Sequence, residues 1–154
     1  MKGRFYALLL AALPLAASAG DEVGHWYVAP YGGGISPGNQ WDGNSTFLGG
    51  LAFGNHFSED WSAELNFNSA RLATDNHQNH TRLSALSLDL LRVFNRSGVF
   101  APYLDIGAGD LRAQTPATPT SDAFMLEGGA GAFIKLWENG DASRSFSLRP
   151  DVKV

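Results

Sequence analysis

Between Leu83 and Asp110 the chain reads LSALSLDLLRVFNRSGVFAPYLDIGAGD, and apolar and polar residues alternate through most of it. Leu86, Leu88 and Leu90 share one parity, with Ala85, Ser87 and Asp89 on the other. Beyond Asn95, Arg96, Ser97 and Gly98 the code resumes. Phe100, Pro102, Leu104, Ile106 and Ala108 fall on one face, and Tyr103, Asp105, Gly107 and Gly109 on the opposite one. A period of two marks strands whose two faces meet different surroundings. The Asn-Arg-Ser-Gly step between them is turn chemistry, so the stretch predicts a hairpin.

The same alternation runs through the rest of the chain. His25 to Gly34 sets Trp26, Val28 and Pro30 against Tyr27, Ala29 and Tyr31. Phe47 to Phe57 and Trp61 to Ser69 follow, the latter with Trp61, Ala63, Leu65 and Phe67 on one face and Ser62, Glu64, Asn66 and Asn68 on the other. Past the hairpin, Ala123 to Trp137 and Phe146 to Val154 alternate in the same way, giving seven segments in all. Most run to about 9–11 residues, the length at which a tilted strand crosses a bilayer. Polar loops at Ile35 to Thr46, Ala70 to Thr81 and Leu111 to Asp122 alternate with shorter turns, the asymmetry of an outer-membrane barrel with its short turns in the periplasm. Trp26, Tyr27, Phe57, Trp61, Phe94, Phe100 and Trp137 all sit on the short-turn side, as an interfacial aromatic girdle would. The predicted fold is all-β, an antiparallel up-and-down transmembrane β-barrel with eight strands expected and seven present. A bacterial barrel closes on an even number, so the eighth strand is expected beyond Val154, and the domain at 20–154 is read as incomplete at its C-terminal end.

Composition adds two constraints. The absence of cysteine removes disulfides and thiolate chemistry. Residues 1–19 read as a signal peptide: Lys2 and Arg4 precede an apolar run from Phe5 to Ala16, and Ala17-Ser18-Ala19 fits a small-x-small cleavage site. Loss of those two bases takes the formal charge from −4 to −6, which disfavours nucleic acid as a partner.

The segments GHWYVAPYGG and DWSAELNF, the hairpin FNRSGVFAPYLDIGAG and the segment FMLEGGAGAFIKL resemble the eight-stranded barrel domain of the outer membrane protein A family. The resemblance covers about residues 24 to 154 and lies in the pattern more than in a rare motif. It implies a narrow, polar, closed barrel in the outer membrane, in contact with its lipids and lipopolysaccharide. Members of that family often carry a C-terminal peptidoglycan-binding domain, of which these residues contain nothing.

With the apolar parity toward lipid, Glu64, Asp89, Asp105, Glu127, Lys135, Arg149, Asp151 and Lys153 point into the lumen. Pairing Phe94 with Phe100 across the turn sets Asp89 opposite Asp105, and facing carboxylates need a cation or a proton. The expected arrangement is Glu64, Asp89, Asp105 and Glu127 held by Lys135, Arg149 and Lys153, plugging the lumen. Arg92 has lipid-facing parity near a short turn, from which its stem can snorkel.

Two other functions compete with a structural, surface-contact or narrow-pore protein. His56-Phe57-Ser58 has the His-x-Ser spacing of lipid A deacylases, with Glu59, Asp60 or Glu64 available as acid, but it lies at a periplasmic turn. A soluble lipocalin-like carrier would use the same alternation with its apolar face inward. No cofactor or metal is assigned. The runs Gly32-Gly33-Gly34 and Gly128-Gly129-Ala130-Gly131 precede no helix, and His77 and His80 sit in a polar, Asn-rich loop. Arg71 and Arg82 are placed to meet lipopolysaccharide phosphates at the outer rim.

Overall fold

The computed structural model describes residues 9–12, 15–18, 23–36, 46–73, 80–114, 119–139 and 144–154. All regular structure among them is strand. In chain order these are β1 (Leu9–Ala12), β2 (Leu15–Ser18), β3 (Trp26–Ser36), β4 (Thr46–Asn55), β5 (Trp61–Ala73), β6 (His80–Val93), β7 (Phe100–Gln114), β8 (Ser121–Glu138), β9 (Ser145–Leu148) and β10 (Asp151–Lys153). Strands β3 to β8 pair antiparallel with their neighbours in sequence order. Strands β9 and β10 together take the seventh position, both pairing with β8 and interrupted at Arg149 and Pro150. These seven positions form the curled up-and-down sheet that the alternation predicts.

The eighth position is filled from the other end of the chain. β1 pairs with β3 and β10, and β2 with β3 and β9, so the ladder returns to its start. An extended apolar segment satisfies two free strand edges whatever its later fate in export, and here the predicted leader supplies it.

Burial settles which parity faces out. Leu65, Phe67, Leu86, Leu88, Leu104, Ile106, Phe124 and Leu126 are all exposed, while Ser62, Glu64, Asn66, Ser87, Asp89, Asp105 and Arg149 are buried. A soluble lipocalin-like barrel requires the reverse. The girdle residues Trp26, Phe57, Phe94, Phe100 and Trp137 are exposed and Trp61 half-buried; Trp26 stacks on Phe53 at 4.9 Å between ring centroids. Tyr27 departs from the expectation, being only 3% exposed and turned into the lumen, as its parity opposite Trp26 requires.

Two boundaries differ from the sequence reading. The polar loops are shorter than expected because pairing continues into them: Arg71↔Arg82 and Ala73↔His80 extend β5 and β6, and Arg112↔Asp122 extends β7 and β8. Polar side chains interrupt the apolar belt without interrupting the backbone ladder. The hairpin register is also offset from the expected one. Val93 pairs with Tyr103, and the connection spans Phe94 to Val99. Asn95 takes a left-handed φ of 54°, accepts a bond from Gly98 N at 2.9 Å and caps Phe100 O through its side chain at 3.3 Å. Asn tolerates that conformation, and the wider turn moves the pairing by two residues, which leaves every residue on its expected face.

The outward face makes a direct prediction. Leu88 is 64% exposed in the middle of the apolar belt, so Leu88→Arg should cost about 2–4 kcal/mol in lipid, read as a lower urea midpoint for the barrel folded in vesicles. An unchanged midpoint would contradict a lipid-facing Leu88.

Candidate functional site: the charged lumen

The lumen is filled in layers, and glycine makes the room. Tyr27 pairs across the ladder with Gly54, Tyr31 with Gly50, Asp89 with Gly107, Tyr103 with Gly131 and Asp105 with Gly129. In each pair a Cβ on the glycine would strike the large side chain, at Cζ of the tyrosines or Oδ1 of the aspartates. Each of these side chains leans onto the strand that follows its own. The glycines at these five positions are therefore the empty half of a pair, which explains the runs in β8 without a nucleotide.

Nearest the short turns the filling is largely aromatic and apolar. Leu91, Val93, Ala101 and Tyr103 form a buried cluster against Phe133. Tyr27 stacks on His56 with centroids 4.6 Å apart, and Phe133 meets both edge-on. Beneath them His56 Nδ1 lies 2.8 Å from Ser62 Oγ, which also accepts from Arg96 Nη2 at 2.9 Å. The His-x-Ser pair of the sequence is not assembled: Ser58 Oγ instead accepts from Trp61 N at 3.1 Å. Ser62, the serine that His56 does meet, is fully buried. Burial, with Arg96, His25 and Arg149 nearby, lowers the pKa of His56 to about 3.

The next layer is built on Arg149, 3% exposed. Its Nη1 donates to Glu64 Oε1, the oxygen that also accepts from the Tyr27 hydroxyl. Its Nε donates to the Tyr103 hydroxyl at 2.7 Å, and that hydroxyl donates to Asp151 Oδ2 at 2.9 Å. The guanidinium also lies over the Tyr103 and Phe133 rings at 4.8 and 5.2 Å. Above it Lys153 Nζ bonds Asp89 Oδ2 and lies 3.1 Å from Asp105 Oδ2 and 3.7 Å from Glu127 Oε1. Ser87 donates to Glu127 at 2.5 Å. Asn66 joins the two layers, donating to Asp89 Oδ2 at 2.9 Å and to Glu64 Oε2 at 3.4 Å.

Seven of the eight lumenal charges named from parity thus meet: Glu64, Asp89, Asp105, Glu127, Arg149, Asp151 and Lys153. Lys135 does not join them. It pairs with Glu138 at 3.1 Å near the short turns, beside a cavity of about 690 Å³ that it shares with Glu59, Asp60 and Arg96. It stands too close to the end of β8 to reach the middle layers. The facing carboxylates are also a different pair from the one expected. Asp89 stands opposite Gly107 on β7 and opposite Glu64 on β5, while Asp105 stands opposite Leu91 and Gly129. Glu64 and Asp89 coexist because each has its own cation and Asn66 bonds both. Ser62, Asn66 and Ser87 have no role in the sequence reading, although inward parity is the available signal for all three; Tyr27 and His56 appear there in other roles, in the aromatic girdle and in the His-x-Ser spacing. His77 lies outside the described residues, and His80 opens β6.

With this geometry in view, comparison with known proteins is decisive for the family. Residues 5–148 match the outer membrane protein beta-barrel domain. The chain belongs to that family. No curated protein and no solved structure gives a significant match. The family match, the all-β ladder and the exposed apolar belt agree on a barrel of the outer membrane.

His56 makes the lumen pH-sensitive from its short-turn end. The unfolded chain takes up this proton near pH 6.5, the folded one only near 3. Between those values the unfolded state binds more protons, so stability falls as pH falls. His56→Gln should flatten the upper part of that slope, between about pH 6.5 and 5, before carboxylates titrate. Urea midpoints against pH measure it; parallel curves for both proteins would rule out the assignment.

Proposed function

We propose that this chain is an exported, non-enzymatic barrel that contributes to envelope integrity or surface contact, with a lumen held shut by its own charges. The leader is removed behind Ala19, the short turns lie in the periplasm and the polar strand ends reach the outside. The observation that carries the reading is that Arg149 and Lys153, both from the last strand position, reach across the lumen to Glu64 on β5 and Asp89 on β6. A side chain spanning the lumen in this way closes it and ties opposite walls together. Removing one member of a buried ion pair typically costs about 3–5 kcal/mol, because the other charge is left buried and alone.

Among the described residues of the two charged layers, five carboxylates, Glu64, Asp89, Asp105, Glu127 and Asp151, meet two cations, Arg149 and Lys153. Any path opened through the lumen carries an excess of negative charge and favours cations. In planar bilayers the mature protein, beginning at Gly20 by intact mass, should conduct rarely. Arg149→Ala should open it more often and with cation preference. Glu64→Gln, which keeps the volume, should do so to a smaller extent, and each variant is first checked for a compact gel band that shifts on boiling. Conductance in folded Arg149→Ala no different from the parent would refute a plug held by charge.

A further inference from the structure

At the short-turn end the lumen opens into a cavity of about 690 Å³ that the charged layers do not use. The β4–β5 turn brings Glu59 and Asp60 to it, the β6–β7 turn Arg96, and the end of β8 Lys135 and Glu138. Hydrogen bonds between these elements fix its walls. Arg96 Nε donates to Glu59 O at 2.8 Å and Val93 N to Asp60 O at 2.7 Å, stitching the first turn to the second. Lys135 N donates to Val99 O at 2.8 Å and stitches the second turn to β8. Phe133, the inward residue before Lys135 on the same strand, packs on the buried Leu91, Val93, Ala101 and Tyr103. The aromatic layer therefore stands between the cavity and the ion pairs of Arg149 and Lys153.

The charge of this mouth is left unbalanced. Lys135 Nζ is held by Glu138 at 3.1 Å, and Arg96 Nη2 by Ser62 Oγ at 2.9 Å. Glu59 and Asp60 enter the stitching bonds through their backbone carbonyls, so both carboxylates stay exposed. Among the described residues neither carboxylate has an ion-pair partner. The volume lies within the range of ligand sites, about 300–1,000 Å³. A small amine occupies little of it, and a short extended peptide fills it. Asn95 and Ser97 line the same space and supply polar groups for a peptide backbone. Val23, 51% exposed, adds an apolar contact for the stem of a long basic side chain.

We propose that this mouth docks a basic peptide segment of a periplasmic protein, with two lysine or arginine side chains reaching Glu59 and Asp60. The inference rests on the orientation given above, which puts the short turns in the periplasm. Two carboxylates facing one cavity explain a dibasic segment, and the volume explains a peptide. Because the walls are already bonded to one another, docking orders little of the barrel.

The test titrates the detergent-folded protein by calorimetry at low ionic strength with a capped peptide of alternating lysine and alanine, with its glutamate counterpart and with putrescine. The lysine peptide should bind about tenfold more tightly than either of the others. Glu59→Gln/Asp60→Asn leaves the bonded carbonyls in place and should weaken that peptide about tenfold. Ser97→Trp, which adds bulk from an exposed turn position, should weaken it as well. Asp110→Asn/Asp122→Asn, which removes as much charge from the loop-side end, should leave the affinity unchanged. Equal losses in the two double variants, or an affinity untouched by Glu59→Gln/Asp60→Asn or by Ser97→Trp, would overturn the site. Putrescine bound as tightly as the peptide would overturn the peptide assignment. Each protein is required to show the compact band that shifts on boiling. A parent that never forms that band in lipid would remove the barrel reading itself, and Ser97→Cys labelled on intact cells by an impermeant maleimide would reverse the orientation. A heat-modifiable barrel indifferent to the lysine peptide removes only the docking.

Discussion

A backbone that crosses hydrocarbon finds no water for its N–H and C=O groups, so every one must be answered by another strand. That requirement shapes the whole molecule. It demands a ladder that returns to its first strand, and a narrow ladder leaves a lumen only a few side chains across. In this structure the predicted leader, as β1 and β2, stands between β3 and the last strand position; its removal leaves both edges to be answered by another strand. The structure meets the second demand by turning small and polar residues inward and letting the lipid hold the leucines and phenylalanines outside.

The interior then becomes an electrostatic problem with a local solution. Charges brought into a narrow, poorly hydrated space are tolerable only when paired and hydrogen-bonded, and the last strand position supplies both cations. Arg149 organises Glu64, Tyr27, Tyr103 and Asp151 around one guanidinium, and Lys153 gathers Asp89, Asp105 and Glu127. The strand position that meets the leader in the ladder is also the one whose side chains cross the bore.

Much of this was legible from alternation alone. Strict parity placed Leu86, Leu88 and Leu90 outside and Ser87 and Asp89 inside, because a strand's two faces cannot be exchanged without moving every residue at once. It also separated lumenal charges from the belt. What alternation could not give was position along the strand axis. Lys135 has the correct parity and the wrong height, and a tight turn pairs Asp89 with Asp105 where a left-handed Asn95 widens the turn and puts Gly107 instead. Proximity to the end of a strand groups Tyr27 with the aromatic girdle, although its parity opposite Trp26 turns it inward. The extension of β5 to β8 beyond the belt was hidden for a related reason: polar residues read as loop, but backbone pairing does not depend on side-chain polarity.

The glycine pairs carry a consequence for the symmetry of the bore. Tyr27, Tyr31, Asp89, Tyr103 and Asp105 each lie across a glycine of the next strand along, so they all sweep in one rotational sense, like the leaves of an iris. The seat of each leaf is built by its own strand and one neighbour. The seating is thus indifferent to where the polypeptide is cut, and a circular permutant opened at any turn on the short-turn end would keep all five leaves and their seats in place.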